Sequence, residues 1–314
     1  MGQTAAIFPG QGAQKVGMGR DVVEASPRAK SIFDQANELL GFDLAGVCFT
    51  GPAEELEKTD IQQPAIFVTS VAIWEAFIEA GGQRSSFARA GGLSLGEYTG
   101  LCAAGAVSFE DALRLVYRRG QLMQEASVAS PSGMVSLIGA DEAIAGDLCE
   151  KVRGDEVLVP ANFNCPGQVV ISGSKAACER AVELADSVGC RGVQLPVAGA
   201  FHSPFMASAA NGLTPVLKET LFTEPEFPVV ANVDGQYHTN ADSIRDSLRR
   251  QVTEPVLWQR CIERMIEDGV DRFVELGPGR VLTGLMRKIN RKIPVINVST
   301  HESIGAGVAK VGVS

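Results

Sequence analysis

Gly92-Leu93-Ser94-Leu95-Gly96 sets a serine between two glycines, after the small-residue run Ala88 to Gly91 and before a helical stretch, Glu97 to Ala104. This is the G-x-S-x-G pattern of a nucleophile elbow, a tight strand-to-helix turn that pushes a hydroxyl out of the fold. Glycine suits both flanks because a side chain there would crowd the turn. The serine also meets a helix N-terminus, whose free N–H groups can hold a developing oxyanion. The chemistry implied is an acyl-enzyme; the competing reading is an ordinary glycine-rich loop.

A serine hydroxyl attacks only when a base takes its proton. The chain has three histidines. His202, in Gly199-Ala200-Phe201-His202-Ser203-Pro204, follows a strand, where catalytic groups collect. His301, in Thr300-His301-Glu302, follows the last strand. His238, in Gly235-Gln236-Tyr237-His238-Thr239, reads as a polar surface turn. Position places His202 ahead of His301. Arg119 is the other anomaly. Arg114, Arg118, Gln121 and Glu125 make one polar helical stripe, yet Arg119 falls with Ala112, Leu115, Val116, Leu122 and Met123 on the apolar side. A charge there needs a partner. Its planar fork suits a ligand carboxylate, and a structural ion pair with a buried acid is the alternative. The loop Gly10-Gln11-Gly12 can supply a second oxyanion N–H, whereas no Gly-Lys-Ser/Thr follows to make it a phosphate loop.

Alternating elements must hold these residues. Thr4–Phe8 reads as a strand, and Ser26-Pro27 opens a helix that Gly41 closes. Pro64–Ala80 reads as an apolar helix, and Ser108 caps a helix running to about Ala126. From Ser132 to Val197 the order is strand (134–138), helix (141–152), strand (157–161), strand (168–172), helix (175–188), strand (192–197), the ferredoxin-like βαββαβ pattern. Further strands fall at 228–233, 271–276 and 294–298. The expected fold is α/β. A larger hydrolase-like α/β domain with a mostly parallel sheet spans 1–130 and 198–314, and a ferredoxin-like subdomain is inserted at 131–197.

Composition narrows the function classes. The 314 residues are 45% hydrophobic and 21% charged, as in a soluble globular protein. A net charge of −9 argues against general nucleic-acid binding. No apolar run long enough for a membrane span and no signal peptide are expected. Ala6 stands where a myristoylation signal wants Ser or Thr. The seven scattered cysteines fit reduced thiols in a cytoplasmic protein. No zinc-ligand spacing is present, and no metal or other cofactor is expected.

Taken together, several stretches resemble the malonyl-CoA:acyl-carrier-protein transacylases of fatty-acid synthesis. They are 8–14, 63–65, 94–98, 119–124, 162–168, 200–202 and 275–279, in family order over nearly the full chain. The resemblance implies that Ser94 attacks the thioester of malonyl-CoA with His202 as base, oriented by the backbone carbonyl of Gln251. It further implies an oxyanion hole from the N–H groups of Gln11 and Leu95, and Arg119 on the malonyl carboxylate. Phe201, Met123 and Gln63 would line the acyl pocket. Transfer would be ping-pong, CoA leaving before the carrier's phosphopantetheine thiol enters. Phe201, just before the histidine, favours malonyl over methylmalonyl by bulk, a discrimination worth about 1–3 kcal/mol. Two positions depart from the family: Leu93 replaces a histidine and Cys165 a serine.

The partner expected is acyl carrier protein, which is acidic in this family. From Gly277 to Ile296 the chain carries Arg280, Arg287, Lys288, Arg291 and Lys292 and no acid. That tract is expected to help dock the carrier; the alternative is a solvated helix end. A monomer without membrane or nucleic-acid partners is expected. Two other classes are an esterase using Ser94, Asp271 and His301, whose chain order fits, and a scaffold that has lost activity. The first leaves Arg119 and the Gln11 loop unexplained, and intact Ser94, His202 and Arg119 argue against the second.

Overall fold

The computed structural model describes residues 2–312. Its strands are β1 (Gln3–Phe8), β2 (Phe87–Gly92), β3 (Ser132–Ile138), β4 (Leu158–Cys165), β5 (Gln168–Ser174), β6 (Arg191–Gln194), β7 (Val270–Leu276) and β8 (Val295–Val298). They form two four-stranded sheets. One is parallel, in the order β2-β1-β7-β8. Along β1, Ala6 and Phe8 join one core while Ala5 and Ile7 join another. Both faces of β1 are therefore covered, which is why it reads as a continuous apolar run from Ala5 to Phe8.

The other sheet is antiparallel, in the order β4-β5-β3-β6, within the stretch expected to form the insertion. Helices Glu142–Arg153 and Lys175–Ala185 cover one face, burying Val135, Leu137, Val169 and Ile171. The alternate residues Met134 and Val170 turn to the opposite face and join the large core.

Helix termini follow local chemistry. The Ser26 hydroxyl accepts from the Ala29 N–H to start Pro27–Leu40, and Gly41, at φ 73°, ends it. Ser108 caps Phe109–Ala129 in the same way. Thr59–Glu79 starts five residues before the expected Pro64 and keeps that proline inside. This 21-residue helix is long and apolar enough to span a membrane, correcting the expectation that no such run exists, but it is buried as a core helix. Gly120 lets the two long helices meet: a Cβ there would stand 3.0 Å from the Thr59 carbonyl and the Asp60 Cα. That approach brings Arg119 beside Gln63.

The expected strand at 228–233 is also corrected. It makes only single bridges, Ala90 with Val229 and Val230 with Tyr237. The chain turns back at Gly235, at φ 68°, before a ladder can extend.

Candidate active site

β2 ends at Gly92 and the helix Leu95–Ala103 begins three residues later, so Ser94 occupies the corner. Its backbone, at φ 49° and ψ −102°, lies where few non-glycine residues go. Neither flanking glycine has room for a side chain. A Cβ on Gly92 would lie 2.0 Å from the Gly96 backbone, and one on Gly96 would lie 2.1 Å from the Phe8 carbonyl oxygen. The same crowding draws in the Gln11 loop, because a Cβ on Gly10 would fall 2.3 Å from the Leu93 carbonyl oxygen. Among the described residues the N–H groups of Gln11 and Leu95 have no acceptor, whereas those of Gly96 and Glu97 bond back to the elbow. The Gln11 side chain donates to Gln62 Oε1, which holds the loop.

The Ser94 hydroxyl lies 2.9 Å from His202 Nε2. His202 Nδ1 lies 2.6 Å from the Gln251 carbonyl oxygen. An N–H at Nδ1 donates to that carbonyl and leaves Nε2 bare to accept from the serine. Burial, with the charge of Arg119 adding to it, pushes the imidazole down to about 4, against the opposing bond to Gln251. The ring is thus neutral, and ready to take a proton, above that pH. The loop is held in strain: His202 has φ 56°. Ser172 Oγ of β5 donates to the Phe201 carbonyl at 2.7 Å, and Ser132 Oγ accepts from the Ala200 N–H. Ser203 Oγ closes the turn onto the Ala200 carbonyl.

Arg119 has no exposed surface. Nη1 donates to Gln63 Oε1 at 2.6 Å, and Nη2 to both Ser94 Oγ and Gln251 Oε1 at 3.0 Å. The guanidinium carbon sits 5.2 Å from the Tyr98 ring centroid. All three hydrogen-bond partners are neutral; among the described residues no acid forms a salt bridge with it. Burial pulls its pKa below the usual guanidinium value, with Tyr98 and then Glu97 opposing. A buried guanidinium whose fork touches no protein carboxylate is a site for a ligand carboxylate.

The remaining sequence-selected residues are placed as follows. Gln63 and Met123 are fully buried beside Arg119, with Gln63 Nε2 3.5 Å from Met123 Sδ, and Phe201 is buried next to the histidine. Leu93 packs against the apolar cluster that contains Cys165, so both departures from the family fall on one cluster. Arg280 precedes the helix Val281–Ile289, Arg287 and Lys288 lie in its last turn, and Arg291 and Lys292 follow it; all five are exposed. Asp271 is the second residue of β7 while Ser94 follows the last residue of β2, which puts them at opposite ends of the strands in a parallel sheet. His301 is exposed beyond β8, the edge strand farthest from β2, and its N–H bonds Asp21. The esterase arrangement therefore does not assemble. A cavity of about 770 Å³ lies between the β4–β5 turn and the helix Trp258–Glu267, and Ser94 is not among the residues that line it.

His238 corrects the expectation of a surface turn. It is buried, with Nε2 3.0 Å from Glu97 Oε1. Sequence reading also missed Glu97 and Asn232, both fully buried. Asn232 Oδ1 accepts from the Ser94 N–H at 2.6 Å, and its Nδ2 donates to the Gly92 carbonyl. The one signal for Asn232 was its position at the end of an apolar run; nothing marked Glu97 as more than a first-turn acid.

A serine on a strained corner, an imidazole on its hydroxyl and an unpaired guanidinium behind both define an acyl-transferring serine enzyme of the α/β class. The chain belongs to the acyl transferase domain family, whose model matches residues 6–307. It is 44% identical over 290 residues to the malonyl CoA-acyl carrier protein transacylase of Escherichia coli O157:H7, covering 92% of this chain and 93% of that one. It is 42% identical over 306 residues to the transacylase of the same name from Bacillus subtilis strain 168, covering 97% and 96%. Among solved structures, it superposes with a TM-score of 0.95 at 40% identity on a malonyl-transacylase in complex with its type II PKS acyl-carrier protein, covering 98% and 99%.

Proposed function

We propose that this enzyme moves a malonyl group from malonyl-CoA to the phosphopantetheine thiol of acyl carrier protein, supplying fatty-acid biosynthesis. The observation that carries the reading is one hydroxyl shared by two groups: Ser94 Oγ stands 2.9 Å from His202 Nε2 and 3.0 Å from Arg119 Nη2. His202 takes the hydroxyl proton as Oγ attacks the thioester carbonyl. The carbon–sulfur bond breaks, and the imidazolium returns its proton to the leaving CoA sulfur. The carrier thiol then gives a proton to His202 and attacks the seryl ester, whose C–O bond breaks, and Ser94 regains its proton. The N–H groups of Gln11 and Leu95 hold the oxyanion in both steps. Arg119 is sealed beneath a half-buried Ser94, so the malonyl carboxylate reaches its fork as the Arg119–Ser94 bond gives way. Gln63, Met123 and Phe201 shape the pocket around that carboxylate.

The carrier docks through Arg280, Arg287, Lys288, Arg291 and Lys292. What supports this is that all five are exposed and, among the described residues, none pairs with an acid. The reading needs no cofactor, membrane or nucleic acid. The seven free thiols suit the reducing cytoplasm. Intact-mass spectrometry after brief exposure to malonyl-CoA tests the reading. A gain of one malonyl group is expected in the wild type, with none in Ser94→Ala. An unmodified wild type, or a gain that survives in Ser94→Ala, would refute it.

A further inference from the structure

Glu97 is a fully buried acid in the first turn of the nucleophile helix, and the transfer steps do not use it. Its carboxylate is saturated by three donors from three parts of the chain. Oε2 accepts from the Asn232 N–H at 2.9 Å and from Gln251 Nε2 at 2.8 Å, and Oε1 takes His238 Nε2 at 3.0 Å. Each of the first two donors has a second hold on the site. Asn232 Oδ1 fixes the Ser94 N–H. Gln251 Nε2 also donates to the Ser94 carbonyl, its Oε1 accepts from Arg119, and its backbone carbonyl accepts from His202. His238 Nδ1 is buried without a partner among the described residues, so the geometry favours the tautomer whose Nε2–H points at Glu97.

We infer that Glu97, clamped by His238, is a positioning residue for acyl transfer: one buried carboxylate sets the Ser94 backbone through Asn232, and both His202 and Arg119 through Gln251. The charge matters as well as the geometry. Arg119 and Glu97 are both buried, and the Gln251 amide stands between them, accepting from one and donating to the other. The anion thus compensates the cation from one amide away and leaves the guanidinium fork unoccupied by a protein acid. A glutamine at position 97 would keep the shape but remove the charge that offsets Arg119, and its N–H₂ would face either the Asn232 and Gln251 donors or His238, which must then give up its Nε2–H.

The inference rests on Ser94 being the activated nucleophile, so its test uses a probe that ignores the acyl group. The measurement is the rate at which a fluorophosphonate labels Ser94 in folded enzyme, followed by intact mass. Glu97→Gln is expected to label at least about tenfold more slowly than wild type, the scale on which a broken positioning network shows in rate. His238→Ala should also slow labelling, and His238→Gln, which restores a donor toward Glu97, should recover part of the loss. Ser26→Ala removes a distant helix cap and should label at the wild-type rate despite lower stability. If Glu97→Gln does not fold, the two His238 variants decide. Wild-type labelling in Glu97→Gln, or His238→Gln no faster than a slowed His238→Ala, would overturn the inference alone. A wild type that does not label at Ser94 would sink the nucleophile reading and this inference together.

Discussion

The two sheets of this protein do different work with the same number of strands. The parallel sheet hides both faces, and its chemistry emerges only at a strand end, where β2 turns through Ser94 into a helix. The antiparallel sheet hides one face under two helices and lays the other against the large core, where Ser172 sits among apolar neighbours and holds the His202 loop. One sheet makes the nucleophile and the other braces its base. The helix-covered face is remote from chemistry, and the core-facing side is one hydrogen bond from it.

Substitutions on the two faces of the antiparallel sheet would sharpen or break that contrast. Leu148→Ala empties part of its helix-covered core and should cost about 2–5 kcal/mol in chemical denaturation. Turnover per folded molecule should stay near wild type; a matching fall in turnover would erase the distinction between the faces. Ser172→Ala leaves the Phe201 carbonyl without its buried donor, which should cost about 1–3 kcal/mol. Here turnover should drop as well, because the His202 loop loses a brace. An effect on stability alone would mean the antiparallel sheet does not support the base. Smallest of all, Arg287→Glu with Lys288→Glu changes two exposed side chains, one of which donates to Gln168 Oε1 at the start of β5. It should raise the apparent KM for carrier about tenfold, equal to about 1.4 kcal/mol, while transfer to a small thiol holds. An unchanged KM for carrier would remove this tract from docking.

Much of this arrangement was legible in the sequence because it is local. The elbow needs only five consecutive residues, and the odd place of Arg119 shows in the period of its own helix. The βαββαβ order follows from alternation and caps within residues 132–197. What stayed hidden depends on pairs far apart in the chain. Glu97 looks like any acid favoured near a helix N-terminus, and its partners Asn232, His238 and Gln251 come from much later segments. His238 sits in a polar run that reads as surface, and only the Val230–Tyr237 bridge folds it inward. The stretch 228–233 has a strand's composition, but an early turn stops its ladder. Pro64 looked like a helix start, yet packing against the Gly120 helix carries the first turn back to Thr59.

The central claim is that the guanidinium behind the serine selects acyl groups that end in a carboxylate. The most direct measurement is single-turnover acylation of Ser94 by malonyl-CoA and by acetyl-CoA, in the wild type and in Arg119→Ala. We expect the wild type to favour malonyl strongly, and the variant to lose that preference because malonyl transfer falls while acetyl transfer does not fall with it. A preference kept intact in Arg119→Ala, or an equal loss for both acyl groups, would contradict the account.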